Sequence, residues 1–257
     1  MAHAGYLAEG VLYLLIGAFA LLAALDVRRH PNGTRGIMVT LSFNPAGEIL
    51  LGAVGIGLTA YVLWQLLVAI QDPEHRHERD RPYRRMVRAG HLLNGALHSV
   101  IVLEALRILF GLGAEESGRE AQTKWIARAL GAPLGRYVVG AVGIGIVLYG
   151  LYQCYRAVTR HKDSRVDLTR TRLRPLIDVL GVYGLLARGV MFVLIGIYLI
   201  DAAWRLDARY SVGVAGALAT LRQQPYGAWF LGAVAAGLTA YGLCQIAKEP
   251  FRLLRDS

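Results

Sequence analysis

The chain has 257 residues, 55% of them hydrophobic and 18% charged, with 30 glycines and a net charge of +10. This balance excludes an ordinary water-soluble domain, because the charge is segregated. Six stretches of about 20 residues are almost free of Lys, Asp and Glu, the length a helix needs to cross hydrocarbon.

In chain order these predicted spans lie near residues 5–26, 46–71, 90–112, 135–158, 181–203 and 227–247. The first lacks a positive n-region and a small-x-small cleavage site, so it reads as a span and not a signal peptide. The second runs from Pro45 through Gly47, Gly52, Gly57 and Tyr61 to Gln65. The fourth repeats that spacing from Pro133 through Gly135, Gly140, Gly145 and Tyr149 to Gln153, and the sixth from Pro225 through Gly227, Gly232, Gly237 and Tyr241 to Gln245. The odd spans repeat as well. Gly5-Tyr6-Leu7-Ala8-Glu9-Gly10 aligns with Gly90-His91-Leu92-Leu93-Asn94-Gly95 and with Gly184-Leu185-Leu186-Ala187-Arg188-Gly189. The unit is two helices copied three times. Two spans return the chain to the same side, so the copies are expected to be parallel hairpins about a pseudo-threefold axis along the membrane normal.

The expected fold is therefore an all-α integral membrane protein, a single six-helix domain over 1–257 with repeats 1–72, 86–160 and 178–250. Short interfacial helices are expected in the outer loops. Ser117-x-x-Glu120 reads as a capping box before Trp125, Ile126 and Leu130, and Val214, Leu218 and Leu221 precede Pro225 at similar spacing. Ile37, Val39 and Leu41 precede Pro45. Glycines in the spans predict close helix approach. Gly52 and Gly55 mark one face of the second span and Gly57, Tyr61 and Gln65 the opposite one, so the even helices are expected to pack on two sides. Gly10 with Gly17, and Gly189 with Gly196, form simpler seams on odd helices.

Basic residues concentrate in the loops at 72–88 and 156–174 and at the C-terminus, on one side of the membrane. That bias places both termini in the cytoplasm and argues for contact with anionic headgroups and against nucleic acid. Cys154 and Cys244, near matching ends of two spans, read as buried small hydrophobes and not as a disulfide.

Polar residues inside spans are the clue to function, because they need partners there. Equivalent positions of the odd spans hold Glu9, Asn94 and Arg188, and one turn deeper Tyr13, His98 and Phe192. The even spans add Tyr61, Tyr149 and Tyr241, then Gln65, Gln153 and Gln245. At a rise of about 1.5 Å per residue, both sets fall in the cytoplasmic third. A polar layer around the axis is the expected result, with Glu9 and Arg188 neutralising each other. The same residues suit a purely structural role as hydrogen-bonding glue. Haem would need an opposing His on a second span, which the sequence does not supply. Glu104, Arg107, Asp201 and Arg205 read as interfacial pairs, and Glu48 and Arg136 as solvated charges. There is no Gly-rich phosphate loop, no His-Glu-x-x-His and no Gly-x-Ser-x-Gly, so neither catalysis nor a cofactor or metal is expected.

Gly-Tyr-x-Ala-x-Gly-x-x-Tyr-Leu-x-Ile-Gly from Gly5 to Gly17, together with Pro-x-Gly…Gly-x3-Tyr from Pro45 to Tyr61, resembles the bacterial membrane proteins grouped as domain of unknown function 1206. The resemblance covers nearly the whole chain. It implies two-helix repeats, commonly three per protein, in a bacterial cytoplasmic membrane, and implies no activity. The family's Ala-Arg-Gly step survives only at Ala187-Arg188-Gly189, which excludes a ring of three arginines. The function expected is a small channel or carrier for an ion or small polar solute. The alternative is a non-catalytic assembly subunit that binds another membrane protein or lipid.

Overall fold

A computed structural model describes residues 2–25, 34–43, 45–71, 81–111, 118–159 and 174–248. These residues form nine α-helices, one 3-10 turn at Ala208–Tyr210 and no strand. The long helices are α1 (Ala2–Ala24), α3 (Pro45–Gln71), α4 (Arg81–Leu109), α6 (Gly135–Thr159), α7 (Arg174–Arg205) and α9 (Gly227–Lys248). Each is long and apolar enough to cross a membrane, and the chain is a multi-pass membrane protein. The helices α4 and α7 begin two turns or so before the apolar stretches read from sequence. The basic segments 72–80 and 160–173, and Ser117 of the capping box, lie outside the described residues.

Short helices α2 (Thr34–Leu41), α5 (Gly118–Gly131) and α8 (Val214–Arg222) precede α3, α6 and α9. The Pro-x-Gly step explains the junction. A Cβ at Gly47, Gly135 or Gly227 would collide with the carbonyl oxygen of Leu41, Ala129 or Arg222 at the end of the short helix. Only glycine lets the new helix start that close. In the second and third copies the middle residue, Leu134 or Tyr226, turns the chain with a left-handed φ of 63° or 59°.

Neighbouring long helices follow the order α6–α7–α9–α1–α3–α4. The closest joints, α6–α7 and α1–α9, are between repeats. They use the odd-helix glycines. A Cβ on Gly10 would lie 3.1 Å from the Gly242 carbonyl, and one on Gly189 2.8 Å from that of Gly150. The second seam position behaves alike, with Gly17 against Thr239 and Gly196 against Gly143. At the α3–α4 joint the corresponding residues are Val62 and Val102, and the helices stand further apart. As expected, α3 and α9 each pack on two long helices, and Gly143 of α6 lies in the Gly196 seam, but the matching Gly52 and Gly55 face of α3 departs from the expectation. A Cβ on Gly52 would meet nothing within 4 Å and one on Gly55 only Ala105 at 3.8 Å, so this face is no tight seam.

Within repeats, α1 packs on α3 and α7 on α9, whereas α4 and α6 barely touch. A Cβ on Gly5 would fall 2.7 Å from Tyr61 Cα and one on Gly184 2.6 Å from Tyr241 Cα, but at Gly90 the nearest atom is the Tyr149 ring at 3.7 Å. The physical reason is one residue. Leu93 stands where the other repeats have Ala8 and Ala187, and with Leu97 it packs on Ile146, Tyr149 and Phe192. Elsewhere a core of Leu12, Ile16, Leu51, Leu58, Leu218 and Leu231 fills the half of the bundle toward the short helices.

A polar cluster inside the bundle

Below that apolar core, the one-residue register of the repeats brings polar side chains together. Glu9 and Arg188 each sit one residue before the seam glycine of their helix, so the close α1–α9 and α6–α7 joints hold both inside. Glu9 is 0% and Arg188 3% exposed, which leaves each dependent on the other. Arg188 Nη2 lies 3.0 Å from Glu9 Oε1.

Arg188 organises the rest. Its Nε donates to Tyr13 Oη at 2.9 Å, Nη1 to Tyr241 Oη at 2.8 Å and Nη2 to Asn94 Oδ1 at 2.7 Å. The guanidinium also lies over the rings of Tyr13, Phe192 and Tyr241, with centroids at 5.0, 5.3 and 4.9 Å. On the other side of the pair, Glu9 Oε2 accepts from Gln245 Nε2 at 3.0 Å and Oε1 from Tyr241 Oη at 3.3 Å. Asn94 Nδ2 donates to Tyr61 Oη at 2.6 Å, as does Gln65 Nε2 at 2.9 Å. His98 Nδ1 is 2.8 Å from the Asn94 carbonyl oxygen, and its ring meets Tyr61 edge-on at 5.0 Å.

Nine of the residues expected in a polar layer are thus joined: Glu9, Tyr13, Tyr61, Gln65, Asn94, His98, Arg188, Tyr241 and Gln245. They come from α1, α3, α4, α7 and α9. Tyr149 instead packs edge-on against Phe192 at 5.2 Å, and none of the cluster's bonds reaches Gln153, which is buried in α6. The loose α4–α6 joint is the reason, since it moves α6 away from Asn94. Sequence reasoning missed His91 as a participant. Its Nδ1 is 2.8 Å from Gln65 Oε1, and its place beside Gly90, on the helix face of Asn94, was the signal.

Chemically the cluster is a neutral, hydrogen-bonded junction. One carboxylate balances one guanidinium, and four of the five guanidinium N–H groups have an acceptor nearby. There is no paired nucleophile and base, and no group of three metal-ligating side chains occurs among the described residues. Other expectations also find their places. Asp201 and Arg205 pair at 2.8 Å and Glu104 and Arg107 at 3.5 Å near the C-terminal ends of α7 and α4. Both cysteines are unbridged, with Cys244 buried against Ile177 and Cys154 half-buried.

The family described as Domain of Unknown Function (DUF1206) matches residues 4–72, 89–160 and 183–248. "Uncharacterized protein YxxB" of Bacillus subtilis (strain 168) is 34% identical over 246 residues, 95% of this chain and 87% of that protein. No solved structure matches the chain.

Proposed function

The chain belongs to the DUF1206 family, and from the geometry of its polar cluster we propose that it is a small channel or carrier for an ion or small polar solute, captured closed. The observation that carries this is the Glu9–Arg188 pair. Opposite charges from the first and third repeats meet inside the membrane and are held by polar groups from three further helices. Charged groups at that depth cost stability, and a transport path is a reason to keep them. In this reading the repeats are parallel hairpins about a pseudo-threefold axis, and the cluster is the gate beneath the apolar core. The protein sits in a bacterial cytoplasmic membrane with both termini inside and basic loops on anionic headgroups. It is not an enzyme.

The purified protein in liposomes tests this directly. Flux of protons, common ions or small neutral solutes above protein-free liposomes is expected, and none across that range would sink the proposal. A second reading has its own support. The cluster carries no net charge, and the half of the bundle above it is filled by leucines, as suits a non-catalytic subunit locked for binding another membrane protein or lipid. A stoichiometric partner copurifying from native membranes, with no flux, would favour it.

A further inference from the structure

We propose that His98 Nε2 and Glu9 Oε1 form a binding site for one proton, and that this proton is the ion that switches the polar cluster. The coupling rests on the transport reading above, while the binding site stands on geometry alone. His98 Nδ1 lies 2.8 Å from the Asn94 carbonyl oxygen, which can only accept. The ring hydrogen is therefore on Nδ1, and in the neutral imidazole Nε2 is a bare acceptor. Nε2 is buried and has no hydrogen-bond partner. The oxygen it faces is Glu9 Oε1, at 3.7 Å. Two acceptors thus confront each other at a distance that admits no water between them.

A proton from water resolves the conflict. One N–H bond forms at Nε2 as one O–H bond of a hydronium ion breaks and water is released, and closing by under about 1 Å gives a charge-assisted hydrogen bond to the carboxylate. The groups that face this site come from every neighbouring helix. Glu9 comes from α1 and Arg188 from α7, and the Tyr61 ring from α3 lies against the imidazole. Tyr13 and Tyr241 hydrogen-bond the adjoining guanidinium, which also lies over the Phe192 ring that Tyr149 packs against. Glu9 Oε1 already serves Arg188 and Tyr241, so an imidazolium would compete with Arg188 for it. The cluster would pass from neutral to one positive charge, which favours an anionic companion in this setting. Proton binding then loosens the pair that joins α1 to α7.

The test is nitrogen NMR of the full chain in lipid nanodiscs, with labelled histidine, from about pH 4 to 9. The His98 signals are identified among the seven histidines by their loss in His98→Gln. Expected are the Nδ1–H tautomer at high pH, a second proton on Nε2 as pH falls, and loss of that uptake in Glu9→Gln. An Nε2–H tautomer at high pH, no protonation in that range, or undiminished uptake in Glu9→Gln would each overturn the site. Should Glu9→Gln fail to fold, the tautomer and titration of the wild-type chain still decide. Flux without His98 protonation would overturn the proton site and leave transport standing. Protonation without flux would do the reverse.

Discussion

Cutting the Glu9–Arg188 pair from either side should be expensive, and cutting it from both sides much less so. Arg188→Gln leaves a carboxylate that is 0% exposed with Gln245 and Tyr241 as its remaining donors. It also deprives Tyr13 and Asn94 of their donor. Glu9→Gln strands the guanidinium and turns an amide N–H₂ toward that of Gln245 or toward Arg188. Removing one partner of a buried pair costs about 3–5 kcal/mol, whereas replacing both can be near neutral. By the scaling for soluble chains of this length, roughly 2–4 °C per kcal/mol, each single variant should lose about 6–20 °C in thermal midpoint. The double variant should lose less than either single, so that it falls short of the summed single losses by more than about 3 kcal/mol, at or beyond the top of the usual range for residues in one network. Thermal unfolding in one detergent, followed by fluorescence and size exclusion, measures all four proteins. Additive losses would refute the claim that the pair is a coupled unit.

Glycine replacements separate the two kinds of glycine. Gly135→Ala and Gly227→Ala should sharply reduce folded yield, because the new Cβ meets a backbone carbonyl, while Gly52→Ala should change stability by no more than about 1 kcal/mol, gaining helix propensity. Leu12→Ala, at a position 2% exposed, should cost about 2–5 kcal/mol, and Leu93→Ala clearly less. The Leu93 variant should also raise cross-linking yield between cysteines placed in α4 and α6. Asp207 is held below its ordinary value by the Arg209 side chain and by its backbone N–H. That depressed value means its contribution is present above the unfolded pKa and is lost as pH falls through the folded one. Protection of the Arg209 amide, which donates to Asp207 Oδ1 at 2.9 Å, should weaken at acid pH and be absent in Asp207→Ala. With Cys154 and Cys244 changed to alanine, a single cysteine at Ser164 should resist impermeant labelling of intact cells, and labelling there would invert the proposed orientation.

Much of the architecture was legible in sequence because repeats and apolar length are local signals. The three Pro-x-Gly steps announced the helix starts, and the Gly5, Gly90 and Gly184 register announced that Glu9, Asn94 and Arg188 would share a level. What sequence could not supply was the asymmetry. Leu93 differs from Ala8 by a few carbons, a change that looks conservative in a hydrophobic span. It separates α4 from α6 and leaves Tyr149 and Gln153 outside the bonds that their counterparts make. Val62 and Val102 loosen the next joint in the same way. The Gly52 seam was over-read, since a small residue permits close approach without requiring it. The single pairing of His98 was also hidden, because a helix wheel does not show which ring nitrogen the backbone takes.

The most direct measurement compares flux through wild type and the Glu9→Gln, Arg188→Gln double variant in liposomes at equal amounts of folded protein. If the cluster is the gate of a path, the wild type conducts a small solute or ion, and the folded double variant conducts it at a different rate with altered pH dependence. No flux through either protein, or identical flux through both, would contradict a gating role for the pair.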